Sequence, residues 1–207
     1  MRAHYPASLA LVLAACSGIV SAATPGPANP NPAAVTGGSY TVEPSHTRVQ
    51  FSVSHMGFTD WYGDMTGVSG TLVLKTADIA ASAVDISLPV ASVATTNAKL
   101  DDELRSAQWF DAARYPTVRF VSTRIVQTGP ATATITGNLT FHGITRPVTL
   151  AARFNGAGIN PLDRNYTIGF NATTTIRRSD FGVSTYVPLI GDTTELRISA
   201  AFVRAAD

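Results

Sequence analysis

The 207-residue sequence predicts an all-β protein: an extended antiparallel β-barrel with one short helix at a barrel mouth. Three observations carry this expectation. Across residues 116–154 apolar side chains recur at every second position: Val118 and Phe120, then Ala133, Ile135, Gly137, Leu139 and Phe141, then Val148, Leu150, Ala152 and Phe154. That spacing puts them on one face of an extended chain, with hydroxyls and charges on the other. Gly129-Pro130 and His142-Gly143 stand between the runs, and gaps this short admit hairpins but no helical crossover. Further runs of the same kind bring the total to about eight, which closes into a barrel whose interior is filled or holds one small ligand. A sandwich is the chief competitor. Consecutive hairpins, and a last strand placed to pair with the first, favour closure.

The elements follow in order. Tyr40-Thr41-Val42 opens the domain and Glu43-Pro44-Ser45 breaks the strand. Val49, Phe51, Val53 and His55 then alternate, so His55 is expected on the inward face with Phe51 and Val53. Glycines at 57, 63, 67 and 70 predict a bend or bulge before the run of residues 69–75. Val84, Ile86, Leu88 and Val90 make another strand, with Pro89 implying an edge or a kink. One segment departs from the period of two. Thr96-Asn97 can cap a helix, Leu100 and Leu104 are four apart, and Asp101, Asp102 and Glu103 suit the positive end. This helix is expected to end near Trp109-Phe110-Asp111. Residues 156–165 read as a loop, Tyr166 to Ile176 as a long strand, and 183–192 as a second loop region. Leu196, Ile198, Ala200 and Phe202 close the sheet.

Composition narrows the function. Lys and Arg number 15 against 14 Asp and Glu, so no net field draws nucleic acid. Residues 1–22 read as an export signal, with Val20-Ser21-Ala22 as a cleavage site; the apolar run is too short to span a bilayer. A lipobox at residues 13–16 competes, and would leave a lipid anchor on Cys16, the only cysteine. The expected locations are accordingly the periplasm or exterior, or a membrane-anchored lipoprotein facing the periplasm. Either way the mature domain has no disulfide and is held by burial and hydrogen bonding. Residues 23–39, dense in Pro, Gly and Asn, read as a semi-extended tether, and 40–207 as the domain.

Several stretches together resemble the YceI-like family. They are residues 40–47, Val49-Gln50-Phe51, residues 54–58, Trp109-Phe110-Asp111 with Tyr115-Pro116 and Phe120, residues 137–148, and residues 178–182. The resemblance runs in order over 40–203. It implies a lipocalin-like barrel, usually periplasmic, whose tunnel takes up a long isoprenoid chain or another amphiphile. No H-x-H, H-E-x-x-H or cysteine cluster supports a metal, no cofactor and no enzyme activity are expected, and a homodimer is left open. One departure stands out. Many relatives carry an Arg-Asp-x-His-Leu run on the helix, where this chain reads Leu100-Asp101-Asp102-Glu103-Leu104. If the absent Arg and His meet a head group, this chain prefers a less anionic or shorter ligand.

A lipid tunnel needs apolar walls and a few polar groups near its mouth. Phe51, Val53, Phe120, Leu139, Phe141, Ile168, Phe170, Ile198 and Phe202 are the wall candidates. For each one a solid core is an equally good explanation. Phe58, Trp61, Tyr62, Trp109 and Phe110 are candidates to gate a mouth, and Phe181 of the late motif is a further candidate ligand contact. His55 is either a ligand contact or a neutral, hydrogen-bonded histidine. Arg178 either meets a phosphate or a quinone carbonyl, or pairs with Asp180. The leading reading is a non-enzymatic carrier of an isoprenoid-type or other amphiphilic chain. The alternative is an envelope stress or interaction module with a packed core. An enzyme using His55 is a third option, unsupported by any nucleophile elbow, phosphate loop or dinucleotide fingerprint.

Overall fold

The computed structural model describes residues 26–205. The export signal, the lipobox and Cys16 lie outside the described residues. Ten strand segments form one antiparallel sheet: β1 (Gly38–Val42), β2 (Arg48–His55), β3 (Thr59–Met65), β4 (Ser69–Leu74), β5 (Ala83–Pro89), β6 (Thr117–Gly129), β7 (Thr132–Phe141), β8 (Ile144–Ile159), β9 (Tyr166–Arg177) and β10 (Ile190–Arg204). They make eight staves. β1 and β2 are one stave, both lying along β10 and broken by a 3-10 turn at Pro44–His46. β3 and β4 are the next, pairing with β2 and β1 respectively. From β4 the order runs through β5, β6, β7, β8 and β9 to β10, and the pairing of β1 with β10 closes the ring. Every stave thus lies beside its neighbour in sequence, the up-and-down barrel that short hairpins produce.

Local chemistry explains the breaks. The Glu43 carboxylate accepts from the Ser45 and His46 N–H groups, which caps the turn dividing β1 from β2. His142 and Gly143 both have positive φ, so β7 and β8 are joined by the two-residue turn that matches strand twist. Bulges between Ser122 and Arg124 and between Phe154 and Gly156 let long strands curve around the interior. Helix α1 (Ala98–Arg105) starts at Asn97, whose side chain accepts from the Lys99 and Leu100 N–H groups, and it buries Leu104. The residues before it fill the gap beside β3, where Asp64 and Ala94 exchange both backbone hydrogen bonds.

Four details differ from the sequence reading. α1 stops at Arg105, and Trp109 and Phe110 lie in the turns after it. Val90 begins a 3-10 turn: its N–H still donates to the Pro116 carbonyl in register with β6, but Pro116 has no N–H to return, and the ladder ends there. β8 continues through Gly156 to Ile159, where a loop was expected. Finally, residues 26–37 are packed on the barrel and are no free tether: Asn29 bridges to Ala157 of β8.

Candidate functional site: an apolar cavity through the barrel

The inward residues do not meet across the middle. They surround a cavity of about 350 Å³. Two apolar clusters bound it. The larger, at the α1 end, contains Leu104, Trp109, Phe120, Phe141 and Phe181; the smaller, at the opposite end, contains Tyr40, Leu72, Ala157, Ile168 and Phe202. Between them the wall is made of Ile135, Leu150, Ala152, Ala172, Ile176, Leu196 and Ile198, all only half-buried although they face inward. Their residual exposure is to the hollow. A cavity this size lies in the range of small-molecule sites, and an apolar hollow stays dry unless a hydrocarbon fills it.

At the α1 end the cavity is capped by aromatic rings. Phe110 packs edge-on against Phe141 at 5.3 Å between centroids and against Phe51 at 6.4 Å. The Trp109 indole N–H donates to Glu103 at 3.1 Å, so this helix acid holds the ring in place. At the other end the wall is more polar, with Thr76 and Ser82 of the β4–β5 connection and Gln127 and Thr132 flanking the β6–β7 turn.

Of the residues singled out in the sequence, twelve lie on this wall: Phe51, Val53, Trp109, Phe110, Phe120, Leu139, Phe141, Ile168, Phe170, Arg178, Ile198 and Phe202. Five do not, among them Tyr62, which is exposed. His55 is exposed, paired with Thr59 and Ile190 at the turn end of β2, where the hairpin leaves the covered interior. Alternation assigns it a side of the strand but no depth. Phe58, at the tip of that hairpin, is 84% exposed. Trp61 is half-buried and off the cavity wall, its indole N–H without a partner among the described residues. Phe181 is buried behind Phe141, at 5.9 Å between rings, and belongs to the plug.

Among the described residues Arg178 is the one charged residue on the wall, and it is 5% exposed. Its Nε donates to Gly191 O, Nη1 to Val183 O and Nη2 to Ile190 O, at 2.8–2.9 Å, and the guanidinium lies over Trp109 at 5.3 Å. It does not pair with Asp180. Burial draws its pKa below the ordinary arginine value, with the Asp192 charge opposing. Asp192 is occupied elsewhere, accepting from Ser179 N, Ser179 Oγ and Arg177 Nε. The guanidinium therefore stitches the β9–β10 loop to the start of β10.

The sequence reading missed several wall residues because they are small or lie outside the strongest runs. Ala152 and Ala172 face each other across β8 and β9 and widen the hollow. Pro32 and Val35, from the segment read as a tether, also reach the wall. Among the described residues no cluster of His, Cys, Asp and Glu is placed to hold a metal ion, and no helix is long and apolar enough to cross a membrane.

Residues 40–202 match the YceI-like domain. The chain belongs to the YceI-like family. A UPF0312 protein of Pseudomonas savastanoi pv. phaseolicola is 39% identical over 141 residues, 68% of this chain and 73% of that protein. A second, from Ectopseudomonas mendocina, is 37% identical over 159 residues, 77% of this chain and 83% of the relative. The crystal structure of Burkholderia cenocepacia BcnA superposes with a TM-score of 0.68 at 24% identity, covering 75% of this chain and 95% of BcnA. A polyisoprenoid binding domain from Saccharophagus degradans superposes at a TM-score of 0.63 with 13% identity, covering 80% and 98% of the two chains. These likenesses establish the YceI-like barrel as the fold.

Proposed function

We propose that this YceI-like protein is an exported, non-enzymatic lipid carrier that takes the tail of an isoprenoid-type or other long-chain amphiphile into its barrel. The observation that carries the reading is the continuous apolar hollow joining the two ends of the barrel. A packed interior would suit a protein-interaction module; a hollow lined in this way has no such use. The structural likeness to a polyisoprenoid binding domain supports the same ligand class. The wall offers no unengaged charge at the α1 end, since Arg178 is committed to three carbonyls. The tail therefore points toward the aromatic cap, and the head group stays near Gln127 and Thr132 at the polar mouth. A neutral or weakly polar head suits that mouth best, in line with the Leu-Asp-Asp-Glu-Leu helix. His55 stands outside the hollow and contributes nothing to the carrier.

Burial of hydrocarbon is worth about 0.8 kcal/mol per methylene, so affinity should rise with chain length until the hollow is full. Titration with geraniol, farnesol and geranylgeraniol tests this. Each added isoprene unit that fits should lower Kd by at least about tenfold, which needs only about 1.4 kcal/mol. Absence of binding, or affinities independent of chain length, would refute the proposal.

A further inference from the structure

Residues 26–37 lie across the polar mouth of the hollow. Asn29 donates its N–H to Ala157 O at 2.8 Å and accepts from Ala157 N at 3.0 Å. It occupies the edge of β8 left open where the β7 pairing ends at Thr132 and Arg153. The chain then turns at Pro32–Ala34 and places Pro32 and Val35 on the cavity wall. The Thr36 N–H donates to the Tyr166 hydroxyl at 3.1 Å, and the buried Tyr40 hydroxyl donates to the Thr36 carbonyl. β1 and β8 are separated by β9 and β10 around the ring, so a segment joining them with its side chains on the cavity wall spans the opening.

β8 is shaped to receive this strap. A methyl group on Gly158 would stand 2.6 Å from the Pro27 carbonyl oxygen, and one on Gly156 would stand 2.9 Å from the Ala28 Cβ. Neither glycine has the positive φ that would call for glycine on its own account. Close approach of the strap is what excludes a side chain there. The strap also falls outside the residues that match the family domain.

We infer that residues 27–37 gate the hollow: Pro32 and Val35 close the wall over a bound tail, and ligand enters and leaves when the strap peels from β8. The contacts favour peeling at the strap over opening of the barrel. One bridging pair attaches it to β8, whereas every strand except β3, which has a ladder on one edge only, is held by ladders on both sides, so local opening of the strap costs far less than disruption of the sheet. This gate presupposes the carrier proposed above, and the test separates the two.

The test uses Asn29→Cys with Ala157→Cys in a protein carrying Cys16→Ser. A hydrogen-bonded antiparallel pair has its Cα atoms about 5.5 Å apart, within disulfide reach. Proteins are loaded with dansyl-labelled farnesol, and its release into phosphatidylcholine vesicles is timed. The oxidised double variant should release at least tenfold more slowly than the same protein after reduction. Gly158→Val, checked for an intact fold by circular dichroism, should release at least tenfold faster than the parent. Equal release from the oxidised and reduced forms overturns the gate while the carrier stands. No loading of any form removes the carrier and the gate with it.

Discussion

The ring of Phe51 on β2 lies over Gly63, its partner on β3, so closely that a methyl group there would stand 2.3 Å from the Phe51 Cζ. The glycine gives the ring a seat against the wall, where it makes a T-shaped contact with Phe110 in the cap. Gly63→Ala must therefore push the ring into the hollow or spread the two strands. Overpacking of this kind costs about 1–3 kcal/mol. A loss of unfolding free energy of that order, read as a lower urea midpoint with an unchanged slope, is the expected result.

Arg178 is predicted to be irreplaceable for stability. Its removal leaves the carbonyls of Val183, Ile190 and Gly191 without their donor in a buried site. Arg178→Ala should cost about 2–4 kcal/mol by denaturant unfolding, given about 1–3 kcal/mol for each buried polar group left unsatisfied and partial relaxation around it. Arg178→Lys should rescue little, because a point-like ammonium cannot span three carbonyls in the way a planar fork does. Trp109 fluorescence should shift in both variants, since the guanidinium lies over that ring.

Filling the hollow should abolish uptake without unfolding the barrel. Ala152 faces Ala172 on the wall, so Ala152→Trp occupies the space a tail would use. Binding of farnesol should weaken at least about tenfold, which corresponds to about 1.4 kcal/mol. Thr175→Trp, on the exposed side of β9, is the control and should bind as the parent does.

Asp192 makes stability depend on acid. Burial raises its pKa, but hydrogen bonds from the Ser179 N–H and hydroxyl and from Arg177 more than offset this, and its carboxyl stays below the ordinary value. A carboxyl lowered in the folded state contributes stability above its unfolded pKa, about 3.9, and loses it as pH falls through the lower folded value. Asp192→Asn should be less stable than the parent at neutral pH, and the gap should narrow below about pH 4. Urea midpoints at pH 7 and pH 3 check this; a constant gap would show that the ionised carboxylate is not what matters.

Much of this barrel could be read from alternation alone. The faces of β7 and β9, and of β6 and β8 up to their bulges, follow from parity, and the inward residues Phe120, Leu139, Phe141, Ile168 and Phe170 are on the cavity wall; past the β6 bulge the parity switches and Ile125 faces inward. Parity says nothing of depth, which is why His55 was expected inside and lies exposed beyond the covered interior. It is also silent on whether inward side chains touch. The hollow depends on small residues such as Ala152 and Ala172 placed opposite one another, a relationship visible only once the strands are paired. The strap was illegible for a different reason. Its composition is that of a tether, and its order depends on Gly156 and Gly158 in a strand remote in sequence.

The central claim is that the hollow holds a hydrocarbon tail. Native mass spectrometry of the protein purified without detergent, followed by organic extraction and mass analysis of what is released, tests it most directly. The account predicts a protein carrying one amphiphile whose extract contains an isoprenoid or comparable long chain. A protein at its bare mass, which also fails to take up added isoprenoid quinone, would contradict it.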